Sequence, residues 1–131
     1  MNGEVLHIGM SETGGTWVLR LTGELDSYTS DRLTGIAKTW ASGGKKIVID
    51  LDGLEHIDSS GLAALVGMWV KARDSHTLMV ILCHSPRIRR IMEITGLLNL
   101  FSFAEAEAKM PEIRQAVTPV TKFVPVGKRA A

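Results

Sequence analysis

Two short segments of this chain are apolar at nearly every position instead of every second one. Lys46–Leu51 reads Lys-Ile-Val-Ile-Asp-Leu, and Leu78–Cys83 reads Leu-Met-Val-Ile-Leu-Cys. A strand with one wet face alternates apolar and polar residues. A run that does not alternate is typical of a strand buried in a helix-covered sheet. The segments around them have helical spacing. Leu33, Ile36, Ala37 and Trp40 recur after the Ser/Thr-rich Ser27–Ser30, and Gly43-Gly44 stops that helix. Gly61–Arg73 carries Leu62, Leu65, Val66 and Trp69 on one face, and Ile88, Ile91, Met92 and Leu97 form a third stripe ended by Gly96.

Thr16–Thr22 is rich in β-branched and aromatic residues, and Val5–Ile8 can pair beside it across the turn Thr13-Gly14-Gly15. Leu98–Phe103 reads as a last short strand, and Ala104–Gln115 as a mostly exposed helix interrupted at Pro111. Strands alternating with helices predict an α/β domain whose sheet is linked by crossover helices. The domain is expected to span residues 1–115. Residues 116–131 carry Lys122, Lys128 and Arg129 without an acid and read as a flexible basic tail.

Composition narrows the function classes. With 131 residues there is room for one domain with its own core. The net charge of +1 offers no bulk attraction to nucleic acid or membrane, and the tail's +3 leaves −2 on residues 1–115. A single cysteine, Cys83, excludes an intrachain disulfide, and with the four histidines it forms no metal-ligand spacing, so no metal or cofactor is expected. The longest runs without a charged side chain, Ser59–Val70 and Ser75–Pro86, are twelve residues each, too short to span a bilayer. The N-terminus has no basic region ahead of an apolar stretch, so a cytoplasmic location is expected.

Catalytic readings fit poorly. Asp58-Ser59-Ser60-Gly61 lacks the glycines of a nucleophile elbow, since Ile57 and Asp58 stand in their place. Gly43-Gly44-Lys45-Lys46 lacks the first glycine and the Ser/Thr of a P-loop. His56 reads as an exposed or half-buried loop position, Glu24 and Asp26 as a solvated turn, and Cys83 as a small core residue. The chain is expected not to be an enzyme.

The junction His56-Ile57-Asp58-Ser59-Ser60-Gly61-Leu62 is the most informative segment. Serines at a helix start sit beside unpaired amides and the positive end of the helix dipole, where negative charge is tolerated. A phosphate there adds about −1.5 to −2 charges at one surface point. Capping by Asp58, Ser59 and Ser60 is the commoner use of such residues, and spacing leaves both readings and both serines open. Opposite the apolar face lies the stripe Ser60, Ala63, Ala64, Gly67, Lys71, a shelf of small side chains on which a protein can pack. Gly67 favours that use, because mid-helix glycine costs about 1 kcal/mol relative to alanine.

Four ordered motifs resemble the STAS domain. They are Leu21-Thr22-Gly23-Glu24-Leu25-Asp26, Ile47–Leu51, Ile57-Asp58-Ser59-Ser60-Gly61-Leu62, and Ser85-Pro86 followed by Thr95-Gly96-Leu97. The resemblance covers about residues 4–115 and is, more narrowly, to bacterial anti-sigma-factor antagonists of the sporulation and general-stress type. The resemblance implies a small mixed β-sheet of about four to five strands with helices packed mainly on one side. It implies phosphorylation of Ser59, the first serine after the aspartate, by an anti-sigma factor that is a serine kinase. It also implies release of that partner on phosphorylation, and a separate serine phosphatase that resets the switch. By the same resemblance Asp26 and Asp58 flank the phosphorylation site and the Asp26–Thr29 loop (Asp26, Ser27, Tyr28, Thr29) belongs to the docking surface. Ser60, Gly61, Ala63, Ala64 and Gly67 extend that surface along the helix. Tyr28 and Trp69 are not demanded by the family pattern. The same fold also serves as a subunit of lipid or anion transport complexes, which is the alternative function.

Overall fold

The computed structural model describes residues 5–37 and 46–103. Their elements run β1 (Leu6–Thr13), β2 (Thr16–Leu25), α1 (Ser30–Ala37), β3 (Lys46–Ile57), α2 (Ser59–Asp74), β4 (Leu78–Leu82), α3 (Pro86–Ile94) and β5 (Ser102–Phe103). The strands form one five-stranded sheet in the order β1-β2-β3-β4-β5. β1 and β2 make an antiparallel hairpin, and every later neighbour is parallel, reached through α1, α2 or α3 in turn. This is the mixed sheet that the resemblance implies, with the crossover helices expected from the alternation.

Residue parity sorts the sheet into two faces. Leu6, Ile8, Leu19, Leu21, Ile47, Ile49, Leu51, Met79, Ile81 and Cys83 share a single core cluster with Leu33 and Ile36 of α1, Leu62, Leu65 and Met68 of α2, and Ile88 and Met92 of α3. The three described helices therefore pack on that face. Their intervening neighbours Val18, Val48, Val80 and Leu82 point the other way and are also buried, which is why β3 and β4 do not alternate. Asp50 shares this second face at 4% exposure, with Arg20 Nε 3.5 Å from its carboxylate. Burial pushes its carboxyl pKa up, while an N–H from Asp52 and the Arg20 charge oppose that shift.

Several boundaries differ from the sequence reading. β3 runs to Ile57, six residues past Leu51, although Asp52, Gly53, Glu55 and His56 are exposed there. β4 pairs only with Lys46–Asp50, so the second half of β3 has a neighbour on one side and tolerates polar residues. For the same reason His56 lies on a strand and not in a loop. On α2, Met68 and Ala72 are buried, whereas Val66 and Trp69 are half-buried at the margin of the core. The strand expected over Leu98–Phe103 is confined to Ser102–Phe103, because the preceding residues turn back onto the end of α3: Leu97 and Leu98 N–H both donate to Met92 O. Trp40, Gly43-Gly44, the helix expected over Ala104–Gln115 and the tail lie outside the described residues.

Candidate protein-docking site

Two strand ends bring the sequence-predicted residues together. Leu25 and Ile57 are register partners at the ends of β2 and β3, and Asp58 N–H donates to Leu25 O at 3.2 Å. Asp26 and Asp58 are thus the first residues beyond two adjacent strands, about 5 Å apart in a sheet. Register shifts between Arg20 and Thr22, and again between Gly23 and Glu24, bend the pair just before this point. Gly23 has φ +102°, and a Cβ on it would lie 2.1 Å from Val5 O, so only glycine fits this kink.

Asp26 organises its loop. Its Oδ1 accepts from Tyr28 N at 2.9 Å and Thr29 N at 3.2 Å, and its carbonyl accepts from Ser30 N at 2.8 Å, leading directly into α1. The Thr29 hydroxyl donates to Glu24 O at 2.8 Å and accepts from Asp26 N at 2.9 Å. Thr29 is only 3% exposed, so it braces the loop from within. That corrects its place on the docking surface: a hydroxyl already satisfied inside the fold has nothing to offer a partner. The braced loop turns Ser27 outward and leaves Tyr28 90% exposed. The Asp-x-x-Thr spacing was the available signal for this brace, since an aspartate followed by a hydroxyl three residues on is a common turn and cap pattern.

Asp58 caps α2. Its Oδ1 accepts from Ser60 N at 2.9 Å and Gly61 N at 3.1 Å, from an extended backbone. Ser59 follows as the first helical residue and is exposed, whereas Ser60 is half-buried. The capping and switching readings left open by spacing are therefore compatible. Asp58 occupies two of the helix's free amides, and Ser59 remains outside that arrangement. We expect Asp58→Ala to lower stability by about 1 kcal/mol and Asp58→Asn to leave it nearly unchanged, as read by urea unfolding. Equal losses in both would mean that charge, not hydrogen bonding, stabilises the cap.

The shelf on α2 is narrower than its sequence suggests. Ala63 and Gly67 are exposed and Lys71 is half-exposed, but Ala64 is 8% exposed and belongs to the core, and Gly61 is buried. Ala64 and Gly61 are corrected accordingly: Ala64 points into the core between Leu62 and Leu65, and Gly61 sits on Leu25. A Cβ on Gly67 would meet open space, so nothing among the described residues requires glycine there. Gly67→Ala is expected to raise stability by up to about 1 kcal/mol, visible as a higher Tm. If a partner packs on this shelf, the same variant binds it more weakly despite being more stable.

Among the described residues, no group of three or more His, Cys, Asp or Glu side chains is placed to hold a metal ion. No described helix is long and apolar enough to cross a membrane. Cys83 is buried, and burial raises its thiol pKa, which suits a core residue better than a nucleophile.

The arrangement has counterparts. Residues 7–110 match the STAS domain family. The chain is 30% identical over 91 residues, 69% of its length and 80% of the relative's, to an anti-sigma-B factor antagonist of Listeria monocytogenes. The crystal structure of an anti-sigma factor antagonist from Mycobacterium paratuberculosis superposes with a TM-score of 0.72 at 22% identity, covering 89% of this chain and 97% of that one. The Bacillus cell fate determinant SpoIIAA in its phosphorylated form superposes at 0.61 with 24% identity, covering 82% and 99%. At these identities the two superpositions establish a common fold.

Proposed function

Because this chain belongs to the STAS domain family, we propose that it is an anti-sigma-factor antagonist whose partner affinity is set by phosphorylation of Ser59. In the unphosphorylated state it binds a cytoplasmic anti-sigma factor with serine-kinase activity and so frees a sigma factor. Phosphorylation of Ser59 dissociates the complex, and a serine phosphatase restores it. The chain is then a substrate and a binding module, not an enzyme, and any nucleotide is held by the kinase. The names of the similar proteins support the general role, and the switch rests on the placement of Ser59.

That placement is the observation that carries the reading. Ser59 is exposed, while the carboxylate of Asp58 already holds two amides of the same helix end. A phosphate on Ser59 therefore meets a site whose positive pole is partly used. It adds its charge beside Asp58 and one strand away from Asp26. Burying such a like-charge group against a partner is costly. Ser60 suits the role less well, since it is half-buried. Ser27, Tyr28, Ala63 and Gly67 supply exposed surface around Ser59, and Asp26, Thr29, Gly61 and Ala64 hold that surface in place.

The experiment is capture of partners from the native host's lysate with Ser59→Ala as bait. An ATP-dependent serine kinase that phosphorylates the wild-type chain but not the variant supports the switch. Recovery of transporter subunits with no phosphorylation of the wild type replaces it with a transport-complex role and reduces Ser59 to part of a helix cap.

A further inference from the structure

We infer that the sheet face opposite the helices is an intramolecular docking surface whose occupant is the chain's own segment 104–117, laid across the strands as an amphipathic helix.

A row of register partners crosses that face. Ser11, Val18, Val48, Val80 and Ser102 are paired in that order from β1 to β5, so their side chains leave the sheet on one side. Gly9, Arg20, Asp50 and Leu82 form the next row. Val18, Val48, Val80, Leu82 and Asp50 are each at most 5% exposed. The four apolar ones do not belong to the core cluster under α1, α2 and α3. A valine on a bare sheet face keeps its outer side wet, so burial this complete requires a second layer. None of the described helices supplies it.

Chain length and pattern single out the occupant. Residues 1–4 join β1 beside Leu6, five residues from Ser11, and include one apolar side chain, Met1. Residues 38–45 have both ends fixed, by α1 on the helix face and by Lys46 at the start of β3. Residues 104–131 instead follow Ser102–Phe103 directly, at the end of the valine row. Within them Ala106, Met110, Ile113 and Val117 recur at intervals of four, three and four, which places them on one side of a helix. Glu105, Glu112 and Gln115 fall on the other side, and so does Pro111, whose bend therefore leaves the stripe intact. Pro119 ends the pattern two residues past Val117. The lengths agree as well. Four strand spacings make the row about 19 Å long, and residues 104–117 make a helix of about 21 Å. The helix read from sequence as mostly exposed then buries one side, and the domain runs to Val117. This inference does not depend on the role of Ser59.

The test uses the full chain carrying Val48→Cys, whose thiol reports on the row, with Cys83 on the helix face as internal reference. Slow labelling of both thiols by a maleimide is expected, in a monomer. Adding Ile113→Asp should speed labelling at position 48 at least about tenfold and leave Cys83 unchanged, because a carboxylate is costly to hold against the valines. Val120→Asp, outside the stripe, should change neither rate. In the unsubstituted chain, methyl NOEs should connect Met110 and Ile113 with Val48 and Val80. If both thiols accelerate together the variant has unfolded, and the NOEs alone decide. The proposal is overturned by an unchanged rate at position 48 in Ile113→Asp, or by the lack of those NOEs. A dimer whose dilution exposes position 48 would overturn it in favour of a second copy. Fast labelling of the Val48→Cys chain by itself would overturn it in favour of a separate partner.

Discussion

Ser59→Asp is expected to lower affinity for the anti-sigma factor by about a hundredfold or more, equivalent to about 2.8 kcal/mol, without loss of folding stability. The two effects separate because they arise in different environments. In the free chain Ser59 is exposed at the first position of α2, where water and the helix dipole make an acidic side chain neutral to mildly stabilising. In the proposed complex the same charge is desolvated next to Asp58 and close to Asp26. Binding measured by calorimetry and stability measured by urea unfolding should therefore diverge. Wild-type affinity in Ser59→Asp would remove the electrostatic switch. A parallel fall in stability would instead make Ser59 structural.

Gly61→Ala should cost about 1–2 kcal/mol of stability, although alanine is the better helix former. A Cβ at this position would lie 2.6 Å from Leu25 O, 2.8 Å from Leu25 Cγ and 2.9 Å from Ile57 Cγ1. These are a backbone carbonyl, the branch point of Leu25 and the inner methylene of Ile57, not flexible tips, so the start of α2 has to move away from β2. That displacement separates the Asp26 loop from Ser59, so partner binding should weaken as well. A Tm lowered by several degrees is the expected reading. An unchanged or raised Tm would show that the contact yields at no cost. The contrast with Gly67→Ala is informative, since two glycines on one helix should respond with opposite signs.

The acidic pair illustrates how far sequence reasoning reaches. Glu24 and Asp26 read as a solvated turn; Glu24 instead lies half-buried on β2, and Asp26 opens a turn braced by its own Oδ1 and the Thr29 hydroxyl. Sequence spacing located the turn without showing which groups close it. Helical periodicity likewise placed Leu62 and Leu65 in the core but put Ala64 on the wrong side. A small side chain weighs little in a hydrophobic pattern, and the apolar face of α2 is wide enough to include it. The extension of β3 to Ile57 was hidden for a different reason, because its polar end lacks a β4 neighbour.

What the sequence determined by itself was the layering. Continuous apolar runs in Lys46–Leu51 and Leu78–Cys83 require burial on two faces, and helical spacing between them requires crossovers. It also determined that Asp58, Ser59 and Ser60 stand at a helix start, because local chemistry dictates capping. Tertiary structure alone decided that Asp26 and Ser59, 33 residues apart in the chain, share one surface, since strand register depends on long-range pairing that no local pattern encodes. It decided, too, which serine faces water. That choice depends on how closely α2 descends onto Leu25, a contact set by the missing side chain of Gly61.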